Sequence, residues 1–160
     1  MSDSAAPAFQ VLLTGARALA RADGLDASLR ILLGAISEHV GVESAAIFVT
    51  GERQEGLELA ASIGLGDAAA AGLSAAVRSP THPIARTFAA PRPVFDVRPT
   101  APGGPALRSH LPLVVTRGGT DLVLGVLALA HERPIDAKVH PGLEAVADLA
   151  AVAIERSRTT

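Results

Sequence analysis

The residues able to do chemistry are few: five histidines, scattered serines and carboxylates, and no cysteine. Ser109 and His110 set a hydroxyl beside an imidazole, the pairing that activates a serine nucleophile. They are consecutive in "LRSHLPLVV", and consecutive side chains on a strand point to opposite faces, so the two cannot act on one another. His131-Glu132 is half of a helical zinc motif without its second histidine. "TRGGTD" and "APGGPA" are rich in glycine but have neither the lysine and spacing of a phosphate-binding loop nor the G-x-G-x-x-G pattern, and both read as turns. The lack of cysteine excludes disulfides, thiolate catalysis and cysteine-ligated zinc. The chain reads as a non-enzyme.

The histidines divide by setting. His39 lies near a helix end, where the dipole favours a cation and the role is structural. His131 and His140 flank a connection and are expected in solvent. His82, between Pro80 and Pro83, and His110, opening an apolar strand, each admit two readings: structural or solvated, or a polar contact to a ligand.

The elements that must position these residues follow from periodicity. "FQVLLTGARALAR" places Phe9, Leu12, Leu13, Ala16 and Leu19 on one helical face. A second helix follows over "DASLRILLGAISEHVG", with Asp26 as N-cap, a stripe of Leu29, Leu32, Leu33, Ile36 and Val40, and Gly41 as its stop. "SAAIFVT" and "LELAASIG" are strands joined through "GERQEG". "GDAAAAGLSAAVRS" is helical by alanine content and poor in periodicity, as suits a mobile lid. "THPIARTFAA" is a short helix with Pro83 in its first turn, "RPVFDV" a strand and "RPTAPGGPALRS" a loop. A hairpin with its turn in 117–121 ends in a strand apolar enough to be covered on both faces. A last helix runs from Pro141 to Ser157. These elements predict one α+β domain over residues 8–160 around an antiparallel sheet, behind a flexible lead of residues 1–7.

Composition narrows the partners. The formal charge is −2, with 49% apolar residues and four phenylalanines as the only aromatic side chains. No basic stripe marks a nucleic-acid surface. The longest apolar run, Leu122 to Ala130, is too short to span a bilayer, and no signal peptide opens the chain, so a cytoplasmic protein without membrane contact is expected.

The ordered set of "LRILLGAISEHVGVESAAIFV", "HPIARTFAAPRPVFDV", "LRSHLPLVV", "LVLGVLALA" and "LEAVADLAAVAIERSR" resembles the GAF domain family over residues 12–158. The resemblance implies a PAS-related fold, a central twisted antiparallel sheet with helices on both faces. Helices Phe9–Arg21, Asp26–Val40 and Pro141–Ser157 would share one face, and the segment from Gly66 to Ser109 would form a small-molecule pocket on the other. It implies a sensory or regulatory domain, within or beside a signalling effector.

The departures from the family matter as much. A thioether-linked bilin and free methionine sulfoxide reductase chemistry both require cysteine, and "AHERPIDAKVHPG" does not match the family's cyclic-nucleotide signature. The cofactor stays unassigned, with haem on a histidine as a lesser alternative. The pocket candidates are His82, Arg86, Phe88, Phe95, Arg108 and His110: two arginines to clamp an anion, two phenylalanines as apolar wall. A structural dimerisation module without ligand is the competing reading. The closing helix has an apolar arc too wide for one sheet face, with Leu149 and Val152 beyond its main stripe. A homodimer through Phe9–Arg21 and Pro141–Arg158 is therefore expected.

Overall fold

The alternation in the strand segments closes into one antiparallel sheet. A computed structural model describes residues 13, 16, 17, 24–51, 56–99 and 104–159. Its strands are β1 (Ser44–Thr50), β2 (Leu57–Ile63), β3 (Val94–Val97), β4 (Leu107–Arg117) and β5 (Thr120–His131). Their spatial order is β2-β1-β5-β4-β3. The helices are α1 (Gly24–Val40), α2 (Asp67–Ala76), α3 (Pro83–Ala89) and α4 (His140–Thr159), the last entered through a 3-10 turn at Ala137–Val139. The β4–β5 turn is Gly118-Gly119, with φ of 55° and 80°, the positive values that join twisted strands in a two-residue loop.

Each face of β5 packs against a different layer. Leu127 and Leu129 join Leu111 and Leu113 of β4, Ile47 of β1, and the buried stripes of α1 and α4. On α1 that stripe is Leu29, Leu32, Leu33 and Ile36, the spacing of one helical face. Each such side chain, once fully buried, stabilises the fold by about 1.5–3 kcal/mol. Val126 and Ala128 face the other way, with Ala46, Phe48, Val77 and Ile84 under α2 and α3. Helices thus cover both faces, in the α+β arrangement expected.

The local corrections are small. Asp26 is not the cap of α1; it lies in the first turn of a helix starting at Gly24, and it pairs with Arg30 at 3.4 Å. Gly41, at φ 75°, stops α1 as expected. The expected helix Phe9–Arg21 lies outside the described residues save Leu13, Ala16 and Arg17, which are helical, and the lead of residues 1–7 lies outside them entirely. Among the described residues no helix is long and apolar enough to cross a membrane.

Gly125 sits at a close approach of β5 to β1. A Cβ there would fall 2.0 Å from the Phe48 carbonyl oxygen, inside contact distance for backbone that cannot swing aside. Gly34, within α1, would meet nothing within 4 Å. Gly125→Ala is expected to lower unfolding free energy by more than about 2 kcal/mol through overpacking. Gly34→Ala is expected to raise it by about 0.5–1 kcal/mol through helix propensity. Urea titrations of both variants against the parent protein read the two effects.

Candidate ligand-binding site

Residue size along one strand pair decides where the sheet is covered and where it is left open. β1 and β5 pair as Phe48↔Val126, Ala46↔Ala128 and Ser44↔Ala130. Phe48 and Val126 fill the space below the helices at one end. Ala46, Ala128, Ser44 and Ala130 leave it open at the other, where they line a cavity of about 1190 Å³. Such a volume lies somewhat above the usual range of small-molecule sites, roughly 300–1,000 Å³.

The walls come from four elements. Ala69, Gly72, Leu73 and Ala76 of α2 line one side, with Leu65 before them. No residue of α2 is itself buried, so it lies over the cavity as a thin cover. His82, Ile84, Arg86 and Thr87 come from the start and body of α3. Val94 and Val97 come from β3 with Arg92 and Arg98 at its ends, and Arg108 and His110 from β4. The local chemistry orients the polar members. His82 caps α3, its Nδ1 accepting from the Ile84 amide at 3.1 Å, and Pro83 follows at the first helical position. Arg108 donates through Nη1 to the carbonyls of Pro105 at 2.6 Å and Leu107 at 3.2 Å, which ties the guanidinium to the loop before β4.

Four of the six residues singled out from the sequence, His82, Arg86, Arg108 and His110, therefore line a common cavity. Phe88 and Phe95 do not. Phe88 packs against the Phe48–Val126 core on the same side of the sheet. Phe95 turns to the opposite layer and stacks on His140, with ring centroids 3.6 Å apart and planes 3° from parallel. Phe95 follows the cavity-lining Val94 and so points to the opposite face by strand alternation. The irregularity in β3, where Asp96 has φ 59° and the register with β4 shifts between Val94 and Val97, returns Val97 to the cavity side. Both valines reach the cavity, while Phe95 packs away from it. Arg92 and Arg98 were missed by the sequence reading, although their places on either side of "PVFDV" were a signal.

Ser109 has a histidine partner after all, and it is His131. Ser109 Oγ lies 2.8 Å from His131 Nε2 and accepts from the Asp96 amide at 3.1 Å. His131 Nδ1 lies 2.7 Å from the Arg133 carbonyl, which can only accept, so Nδ1 donates there, and in the neutral imidazole Nε2 then accepts from the Ser109 hydroxyl. The Asp96 carboxylate accepts from the Ile135 amide at 2.9 Å. Ser109 and His131 are 0% and 2% exposed, so this arrangement is a buried clasp between β3, β4, β5 and the connection to α4, with no access for a substrate. It also corrects two expectations: His131 is buried rather than solvated, and His140 is half-buried against Phe95. Apolar neighbours in the folded chain, invisible in the local sequence, enclose both.

Burial, then the nearby His82 and Arg108 charges, lowers the pKa of His110 from 6.5 to about 4, and burial lowers that of His82 as well. The unfolded chain takes up the His110 proton below about 6.5, whereas the folded chain resists until about 4. Stability is thus lost as pH falls through that window, by an amount on the order of 3 kcal/mol for His110. His110→Asn is expected to flatten this acid limb, as read by denaturant unfolding across the pH range.

No protein-family model and no curated protein matches the chain. Solved structures do. The GAF domain of a phosphoenolpyruvate-protein phosphotransferase from Coxiella burnetii superposes with a TM-score of 0.79 at 15% identity, over 99% of this chain and 98% of that one. A free methionine-R-sulfoxide reductase from Neisseria meningitidis gives 0.74 at 18% identity, over 99% and 95%. A methyl-accepting chemotaxis protein gives 0.63 at 20% identity, over 91% and 97%. Strand order, helices on both sheet faces and likeness along nearly the whole length agree: this chain has the fold of the GAF domains.

Proposed function

We propose that residues 8–160 form a sensory or regulatory domain that holds a small molecule between the sheet and the α2–α3 cover and signals its presence through the terminal helices. The observation that carries this reading is the cavity floored by Ala46, Ala128 and Ala130, with His82, Arg86, Arg108 and His110 facing it. The fold it shares with a chemotaxis protein supports the same reading. So does the absence of cysteine, which separates the chain from the reductase of like fold.

A route from cavity to helices is built into β4. His110 faces the cavity, while its neighbours Ser109 and Leu111 face the helix layer, where α4 packs on β4. A ligand that draws His110 and Arg108 inward displaces the strand on which α4 rests. The α2 cover, with no buried residue to hold it, admits the ligand at small energetic cost. The output passes to an effector, fused or separate, through a homodimer formed by Phe9–Arg21 and Pro141–Arg158. Val152 on α4 remains 39% exposed, apolar surface that such an interface would cover.

Native mass spectrometry of protein purified from its own host is expected to show a bound small molecule. Gly72→Trp, whose side chain starts from an open position on the cavity wall, is expected to abolish that mass while leaving the fold intact. Retention of the ligand by a folded Gly72→Trp protein would place its binding elsewhere. Sedimentation equilibrium at roughly tens of micromolar is expected to give a dimer mass that Val152→Asp shifts toward monomer. A concentration-independent monomer would remove the dimer from this reading.

A further inference from the structure

Charge and shape of the cavity restrict its occupant. Arg86, Arg92, Arg98 and Arg108 line it together with His82 and His110, and no aspartate or glutamate is among the described residues that do. None of the four arginines pairs with a carboxylate among the described residues. The four arginines share one side. β3 and β4 pair as Val97↔Arg108 and Val94↔His110, which sets Arg98, Arg108 and Arg92 along one sheet edge beside the neutral His110, with Arg86 on the helix above. The opposite side, under α2, is apolar.

Like charges gathered without a counter-charge repel one another, and an anion between them relieves that repulsion; guanidinium forks suit carboxylate or phosphate oxygens in particular. A ligand ammonium would find no carboxylate to pair with, and its own charge would add to the repulsion. Among the described residues no phenylalanine lines the cavity; its rings are the imidazoles of His82, tied into the cap of α3, and the buried His110, so a nucleobase would find little ring surface to stack on. Burial chiefly, and then the His82 and Arg108 charges, depress the basicity of His110.

Resting on the sensory reading above, we infer that the cavity takes a small aliphatic polyanion: two or more carboxylate or phosphate groups, a short apolar body and no ammonium group.

Glutarate and glutamate form a matched pair differing only by the ammonium, and tricarballylate and 3-phosphoglycerate extend the set to three carboxylates and to phosphate. In isothermal titration calorimetry of the full chain, at least one of the three ammonium-free probes is expected to bind. If it is glutarate, it should bind at least about tenfold more tightly than glutamate. Affinity is expected to fall as salt rises. Arg98→Gln and Arg108→Gln are each expected to weaken binding about tenfold or more, while Arg133→Gln, exposed and away from the cavity, leaves it unchanged. Arg98 is itself exposed, so its variant tests the site even if Arg108→Gln perturbs the loop. Preference for tricarballylate or for 3-phosphoglycerate identifies the carboxylate or the phosphate as the group read. Glutamate binding as well as glutarate, or polyanion binding untouched by both arginine variants, overturns the inference. If no probe binds but the host protein carries a neutral or zwitterionic molecule that Gly72→Trp excludes, the polyanion is wrong and the sensory reading stands. If nothing binds and nothing co-purifies, both fall.

Discussion

The pairing of β1 with β5 is the contact on which the rest of the architecture depends. It runs down the middle of the sheet, and at Gly125 the two backbones come so close that a single methyl group would strike the Phe48 carbonyl. That closeness holds the register, and the register determines which side chains face which layer. One step along the pairing, Phe48 against Val126 makes core; the next, Ala46 against Ala128, makes the floor of a cavity. The site is therefore a property of residue size within one ladder. It needs no special loop.

The same ladder explains how one strand serves two layers. β4 sends His110 into the cavity and Ser109 into a buried clasp with His131 and Asp96. Ser109 and His131 resemble a nucleophile and its base only in the chemistry of their atoms. Their burial beneath the helix layer makes them a strut, whose hydrogen bonds satisfy the irregular backbone where β3 turns at Asp96. Removing such a partner would leave donors and acceptors unmet in a dry interior. The clasp holds β3 against β4, and with it the line of cations at the cavity edge.

Electrostatics and stability pull in opposite directions at that edge. Arginines crowded about a largely apolar cleft, with a histidine that must stay neutral, gain nothing for the unliganded fold. Local disadvantage of this kind is tolerated where the surrounding structure is secure, and here the leucine-rich helix layer supplies that security. The two faces of the sheet accordingly differ in character: one closely filled, the other partly open and charged.

Much of the fold was legible in the sequence because its signals are local. The stripe Leu29–Leu32–Leu33–Ile36, the Gly118-Gly119 turn, Pro83 at the head of α3 and the apolar run of β5 each follow from periodicity or backbone preference within a few residues. The exclusion of cysteine chemistry needed composition alone. His82, Arg86, Arg108 and His110 were within reach because the GAF resemblance carried long-range order that the residues themselves do not spell out. What only the tertiary structure decided were matters of facing and enclosure. Val97 joined Val94 at the cavity, with Phe95 facing away, because Asp96 adopts a left-handed backbone and shifts the register. His131 and Ser109, 22 residues apart, met because two strands pair. Arg92 and Arg98 joined Arg108 because an edge strand docks beside β4. Local sequence sets what each segment tends to become. Which side chains meet depends on pairings between distant segments, and those exist only once the sheet has closed.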